Sequence, residues 1–75
     1  MTGGDFTEYR IELFPANLKK AIKEKGFSQT RLAKQANIPF ETISKWVCGR
    51  SHPRIDSLVM IANVLEVSID SLLRE

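Results

Sequence analysis

Residues 29–48 constrain this chain more than any other stretch. They hold two helix-period segments joined by a three-residue turn, and so short a joint forces the two helices to cross steeply. That crossing dictates residue types. Ala33 stands where a larger side chain would push the helices apart. Asn37 stands where the turn requires a left-handed residue, a conformation Asn accepts better than any residue except Gly. Leu32, Ala36, Ile38, Ile43 and Trp46 are apolar at the positions that must point inward. The agreement of all these positions carries more weight than any one of them.

The flanking sequence keeps the helical period. Pro15 suits the first position of a helix, and Phe14, Leu18, Ala21 and Ile22 recur at three- and four-residue spacing until Gly26 stops the pattern. Ser28 is the expected cap of a second helix, Gln29 to Ala36. A third helix is expected from about Pro39 to Cys48, with Ile43, Trp46 and Val47 inward and Gly49 as its stop. After the polar loop at 50–54, a fourth runs from Ile55 to Leu65 with a broad stripe of Ile55, Leu58, Val59, Ile61, Ala62 and Leu65. Val67 links to a last short helix capped by Ser68, with Ile69, Leu72 and Leu73 closing the core. The expected fold is all-α, five short helices in one compact domain spanning residues 15–75.

Residues 1–14 read differently. Apolar Tyr9, Ile11 and Leu13 alternate with charged Glu8, Arg10 and Glu12, a period of two that marks a half-buried strand. With no partner strand in a helical chain, it would pair with a second copy; a frayed arm or an irregular lead into the first helix is the alternative.

Several function classes are disfavoured. A 75-residue chain buries only about 60% of the surface its unfolded form exposes. No apolar run approaches the roughly 20 residues of a membrane span, and the start lacks the layout of a secretory signal. Cys48 and His52, single residues of their types, cannot form an intrachain disulfide or a four-ligand zinc site, so neither metal nor cofactor is expected. The lack of a disulfide framework points to the cytoplasm. With no paired acid–base set, neither an enzyme nor a small-molecule substrate is expected.

The net charge of +2 is uninformative until it is resolved along the chain. Residues 15–54 carry Lys19, Lys20, Lys23, Lys25, Arg31, Lys34, Lys45, Arg50 and Arg54 against Glu24 and Glu41, a net +7. Residues 1–14 carry −2 and residues 55–75 carry −3. Positive charge therefore coincides with the two crossing helices and their flanks, the footprint expected of a phosphate-binding face.

Residues 17–73 resemble the phage-repressor/Cro-type helix-turn-helix family, also called the xenobiotic-response-element type. The resemblance rests on Glu24-Lys25-Gly26-Phe27-Ser28-Gln29, Leu32-Ala33, Thr42-Ile43-Ser44-Lys45-Trp46, Gly49 and Val67-Ser68-Ile69-Asp70-Ser71-Leu72-Leu73. It implies a lambda-repressor-like five-helix domain that binds double-stranded DNA as a homodimer and regulates transcription, most often as a repressor. In such motifs the second of the crossing helices enters the major groove while the first lies across the backbone. By resemblance, Phe40, Glu41, Ser44 and Lys45 are base-reading candidates: Lys45 toward guanine, Glu41 toward a cytosine amine, Phe40 toward a thymine methyl. Gln29 matches the residue that bonds a phosphate; Thr42, Arg50 and Arg54 are further backbone candidates, with Arg31 and Lys34 behind them. Trp46 is expected in the core, Cys48 as a half-buried filler and His52 in solvent, while Lys19, Lys20 and Lys23 read as a solvated helix face.

Three positions depart from the family pattern. Pro39 replaces the usual Ser or Thr cap before Phe40 and Glu41. Val47 stands where Glu is common after the Trp, and Glu66 occupies a turn position that often holds Gly or Asn. An alternative function follows from the exposed Phe40 and the alternating N-terminus: an antitoxin-type or partner-binding helix-turn-helix module acting through protein contacts. Dimerisation is expected through the fourth and fifth helices or through the segment Tyr9 to Leu13.

Overall fold

The computed structural model describes residues 10–74. A 3-10 turn at Ile11–Leu13 leads directly into helix α1 (Phe14–Glu24), followed by α2 (Gln29–Ala36), α3 (Phe40–Cys48), α4 (Ile55–Leu65) and α5 (Ile69–Leu73). Helix α1 packs on α3 and α5, and α2 packs on α3 and α4. Among the described residues no helix is long and apolar enough to cross a membrane.

One closing turn is used four times. Gly26, Asn37, Gly49 and Glu66 all adopt positive φ at the ends of α1, α2, α3 and α4. At each end two amide donors reach back over the last turn: Gly26 to Lys23 and Phe27 to Ile22, Asn37 to Lys34 and Ile38 to Ala33, Gly49 to Trp46 and Arg50 to Lys45, Glu66 to Asn63 and Val67 to Ala62. This paired 5→2 and 6→1 pattern satisfies carbonyls that a helix end leaves open. It also turns the chain sharply enough for helices of eight to eleven residues to pack around one centre. In three of the four, the residue after the left-handed position is an apolar plug (Phe27, Ile38, Val67) packed against the core. The fourth, Arg50, is exposed.

The core follows the helical period. Phe14, Leu18, Leu32, Ile43, Ile61, Leu65 and Leu72 are fully buried, and Trp46 meets Phe14 edge-to-face at 6.4 Å between ring centroids and 70° between planes. Asn17, on the side of α1 that meets α5, donates its amide to the carbonyls of Leu72 at 3.0 Å and Arg74 at 2.7 Å. The last helix has only five residues, and these bonds occupy carbonyls it cannot satisfy itself. Its start is held by Ser68, whose hydroxyl accepts from the Ser71 amide at 3.0 Å.

The structure corrects four expectations. Residues 11–13 form a 3-10 turn, not a strand; Tyr9 and the residues before it lie outside the described part of the chain. With no neighbouring strand among the described residues, the Arg10 amide donates to the Leu73 carbonyl at 2.8 Å, and the backbone satisfies itself by winding. Ile55 and Val59 are not inward: they are 69% and 39% exposed, because Leu58, Ile61, Ala62 and Leu65 already fill the core-facing side of α4. Val47 is only partly buried, at the flank of α3. Cys48 is exposed, not a half-buried filler.

Candidate nucleic-acid interface

Helix α2, the turn and α3 form the candidate site. Ser28 opens α2 from an extended conformation, and its hydroxyl accepts from the Arg31 amide at 3.1 Å. The first residue after it, Gln29, is half-buried beside the remaining free amides of that helix end. Leu32, Ala33 and Ala36 point into the core, leaving Arg31 and Lys34 exposed on the outer side. The turn then passes through Asn37, at φ 56 and ψ 45, before Ile38 plugs the gap.

Pro39 starts α3 with φ −57 and ψ 139 and offers no side-chain cap. Its carbonyl accepts from the amides of Thr42 at 3.0 Å and Ile43 at 3.2 Å. With no capping hydroxyl, the negative charge at this end of the helix comes from Glu41 in the first turn. A carboxylate there is stabilised by the positive end of the helix dipole. Glu41 therefore has a structural reason to be acidic beside any part in reading a base.

At about 100° per residue, Ile43 and Trp46 define the inward side of α3. Glu41, Ser44 and Lys45 fall on the opposite side; Phe40, 49% exposed, lies at its edge in the first turn. Thr42 and Val47 sit half-buried on the two flanks. Cys48 shares the outward side with Glu41 and Ser44, a position the sequence reading did not assign. The i, i+3, i+7 spacing of 41, 44 and 48 was the available signal.

The basic groups flank this face. Arg50 and Arg54 are exposed beyond the end of α3, and Arg31 and Lys34 are exposed on α2. Arg31 is the one with a defined seat: its guanidinium lies over the Phe27 ring at 4.3 Å. Among the described residues the ion pairs are Arg10–Glu12, Lys25–Glu66 and Arg74–Asp70, and no described carboxylate pairs with Lys34, Lys45, Arg50 or Arg54. No described group of His, Cys, Asp and Glu could hold a metal ion.

Comparison with known proteins agrees with this architecture. The helix-turn-helix family model matches residues 18–72. The chain is 36% identical over 62 residues to the SPbeta prophage-derived uncharacterized HTH-type transcriptional regulator YonR of Bacillus subtilis (strain 168), covering 83% of this chain and 57% of that protein. It is 37% identical over 57 residues to the cryptic phage CTXphi transcriptional repressor RstR of Vibrio cholerae serotype O1, covering 76% of this chain and 48% of that one. The chain thus spans about half the length of these relatives. Among solved structures, the SinR protein/SinI protein complex contains a chain that superposes with a TM-score of 0.78 at 32% identity, covering 83% of this chain and 61% of that one. The restriction-modification controller protein C.AhdI from Aeromonas hydrophila gives the same TM-score at 19% identity, over 84% of this chain and 96% of that one, a likeness of fold. By the turn at Asn37, the packing of α2 on α3 and the match over residues 18–72, the chain belongs to the helix-turn-helix family.

Proposed function

We propose that the chain is a cytoplasmic, sequence-specific double-stranded DNA-binding regulator of transcription, acting as a homodimer and as a repressor. Residues 15–75 and the buried Phe14 are the DNA-reading head, and the residues before it an arm. The observation that carries this reading is the outward face of α3, where Glu41, Ser44 and Lys45 project between exposed basic groups that no described carboxylate neutralises. Phe40, Glu41, Ser44 and Lys45 read base edges; Gln29, Thr42, Arg50, Arg54, Arg31 and Lys34 hold phosphates. Arg50 supports the assignment independently, because it stands where the other three closing turns carry an apolar plug.

The test is binding of duplexes selected from a random pool, followed by anisotropy as salt is raised. Two copies on half-sites about 10 base pairs apart would make some six to ten phosphate contacts. Affinity should then fall by roughly three to five decades between 50 and 200 mM salt. Lys45→Ala should relax preference at one base position, and Gln29→Ala should weaken all duplexes alike. No duplex binding at low salt overturns the reading; equal loss on selected and random duplexes in both variants overturns the residue roles. A module acting mainly through protein contacts is the second reading, favoured by the half-exposed ring of Phe40, and it predicts the first of those outcomes.

A further inference from the structure

Helices α1 and α3 leave an open groove between them. Its floor is apolar, made by Pro15, Ala16 and Val47, and its rim is Lys19, Lys20 and Lys23. At one end the turn after α3 comes close to α1: a methyl group added to Gly49 would stand 3.6 Å from Cγ of Pro15, ordinary contact distance. The rim lysines are exposed, and none of the ion pairs among the described residues engages them. The one carboxylate of α1, Glu24, lines a second depression with Asn17, Lys20 and Arg74, so Lys20 borders both.

We propose that this groove docks an acidic amphipathic helix of a partner protein, with an apolar side chain seated on Val47 and carboxylates reaching Lys19, Lys20 and Lys23. Charge complementarity selects the occupant: three exposed lysines within five residues, in none of the ion pairs among the described residues, surround an apolar strip and match a helix with apolar anchors on one side and acids beside them. DNA fits poorly, since phosphates gain nothing from an apolar floor. Val47 also lies on a flank of α3, turned by about 100° or more from Glu41 and Lys45. The surface stands whether or not α3 reads DNA.

The experiment titrates the isotope-labelled full chain with a synthetic helical peptide of repeating Leu-Glu-Glu-Leu units, following amide shifts. A second peptide of the same charge has Ser in place of Leu. Expected are shifts confined to the neighbourhood of Ala16, Lys19, Lys20, Lys23 and Val47, with little response to the Ser peptide. Val47→Glu should weaken binding by about tenfold or more, through lost apolar contact and added repulsion. Should that variant lose its helical spectrum, the double change Lys19→Ser with Lys23→Ser, wholly on the surface, should give a comparable loss. Absence of binding, equal response to both peptides, shifts spreading to Lys34 and Lys45, or unchanged affinity in the folded variants would each overturn the proposal.

Discussion

Glu66 is the residue whose conformation and chemistry pull in opposite directions. Its φ of 58 places it in the left-handed region, the only closing turn of the four filled by neither Gly nor Asn. That conformation costs a side chain with a Cβ on the order of 1 kcal/mol. Against this, its carboxylate accepts a hydrogen bond from Lys25 Nζ at 2.5 Å, joining the turn after α1 to the turn after α4. The Lys25 ammonium holds the Glu66 carboxyl below its ordinary pKa, first through that hydrogen bond and then through its charge. An exposed pair, open to solvent screening, contributes little. Glu66→Gly should therefore be neutral to mildly stabilising in urea unfolding, Glu66→Asn similar, and Glu66→Gln destabilising because it keeps the strain and loses the charge. Because the folded-state pKa is depressed, the pair's contribution is present above the carboxylate range and lost as pH falls through it. The Gln variant should accordingly show a shallower loss of stability on acidification than the parent chain. A parallel loss in both would mean the ion pair contributes nothing.

Between elements, polar contacts hold what is too short to hold itself. A five-residue helix has no independent stability, and α5 stays in place through Leu72 and the two hydrogen bonds from Asn17. Asn17→Ala should cost about 1–3 kcal/mol, since it also strands two partly buried carbonyls. Amide exchange should rise first in residues 69–73 and at Arg10, whose own amide bonds to Leu73. Uniform acceleration across all five helices would instead show α5 to be part of one cooperative unit. Elements of this kind differ in how readable they are. The ends of α1, α2 and α3 were legible because Gly26, Asn37 and Gly49 are the residue types a left-handed turn selects. Asn17 was not, since a polar residue on a lysine-rich helix gives no sign that its partner lies more than fifty positions away. At 11–13 the alternation pointed to a strand and left an irregular lead into the first helix as the alternative, because so short a run satisfies a strand and a tight turn equally; a neighbouring strand decides between them. At the candidate interface, the outward positions of α3 followed from Ile43 and Trp46 alone, whereas the stacking of Arg31 on Phe27 depends on where the first turn of α2 passes the plug after α1, which neither residue type announces.

At the scale of the whole molecule, α4 carries more apolar surface than the domain uses. Ile55 is 69% exposed, Val59 39% and Met60 46%, on a helix whose core-facing side is already filled. Ile55 and Val59 share one edge of the exposed side and Met60 lies about 100° further round from Val59, so one surface covering all three would span the outward half of α4. The proposed homodimer supplies it: two copies of α4 packed across a two-fold axis cover the same three side chains on each. Three partly exposed side chains fall well short of the roughly 800 Å² per partner of a standard interface. The free dimer should therefore be weak, with an average mass by light scattering that climbs from one chain toward two as concentration rises. DNA with two half-sites then raises the effective concentration of the second copy and tightens the pair. Met60→Glu, exposed in the single chain and so harmless to its core, should hold the protein at the mass of one chain with its helical spectrum unchanged. It should also abolish the preference for duplexes with two half-sites over one, while leaving single half-site binding intact. If removal of residues 1–13 dissociates the dimer and Met60→Glu does not, the contact belongs to the arm and the stripe on α4 serves another surface.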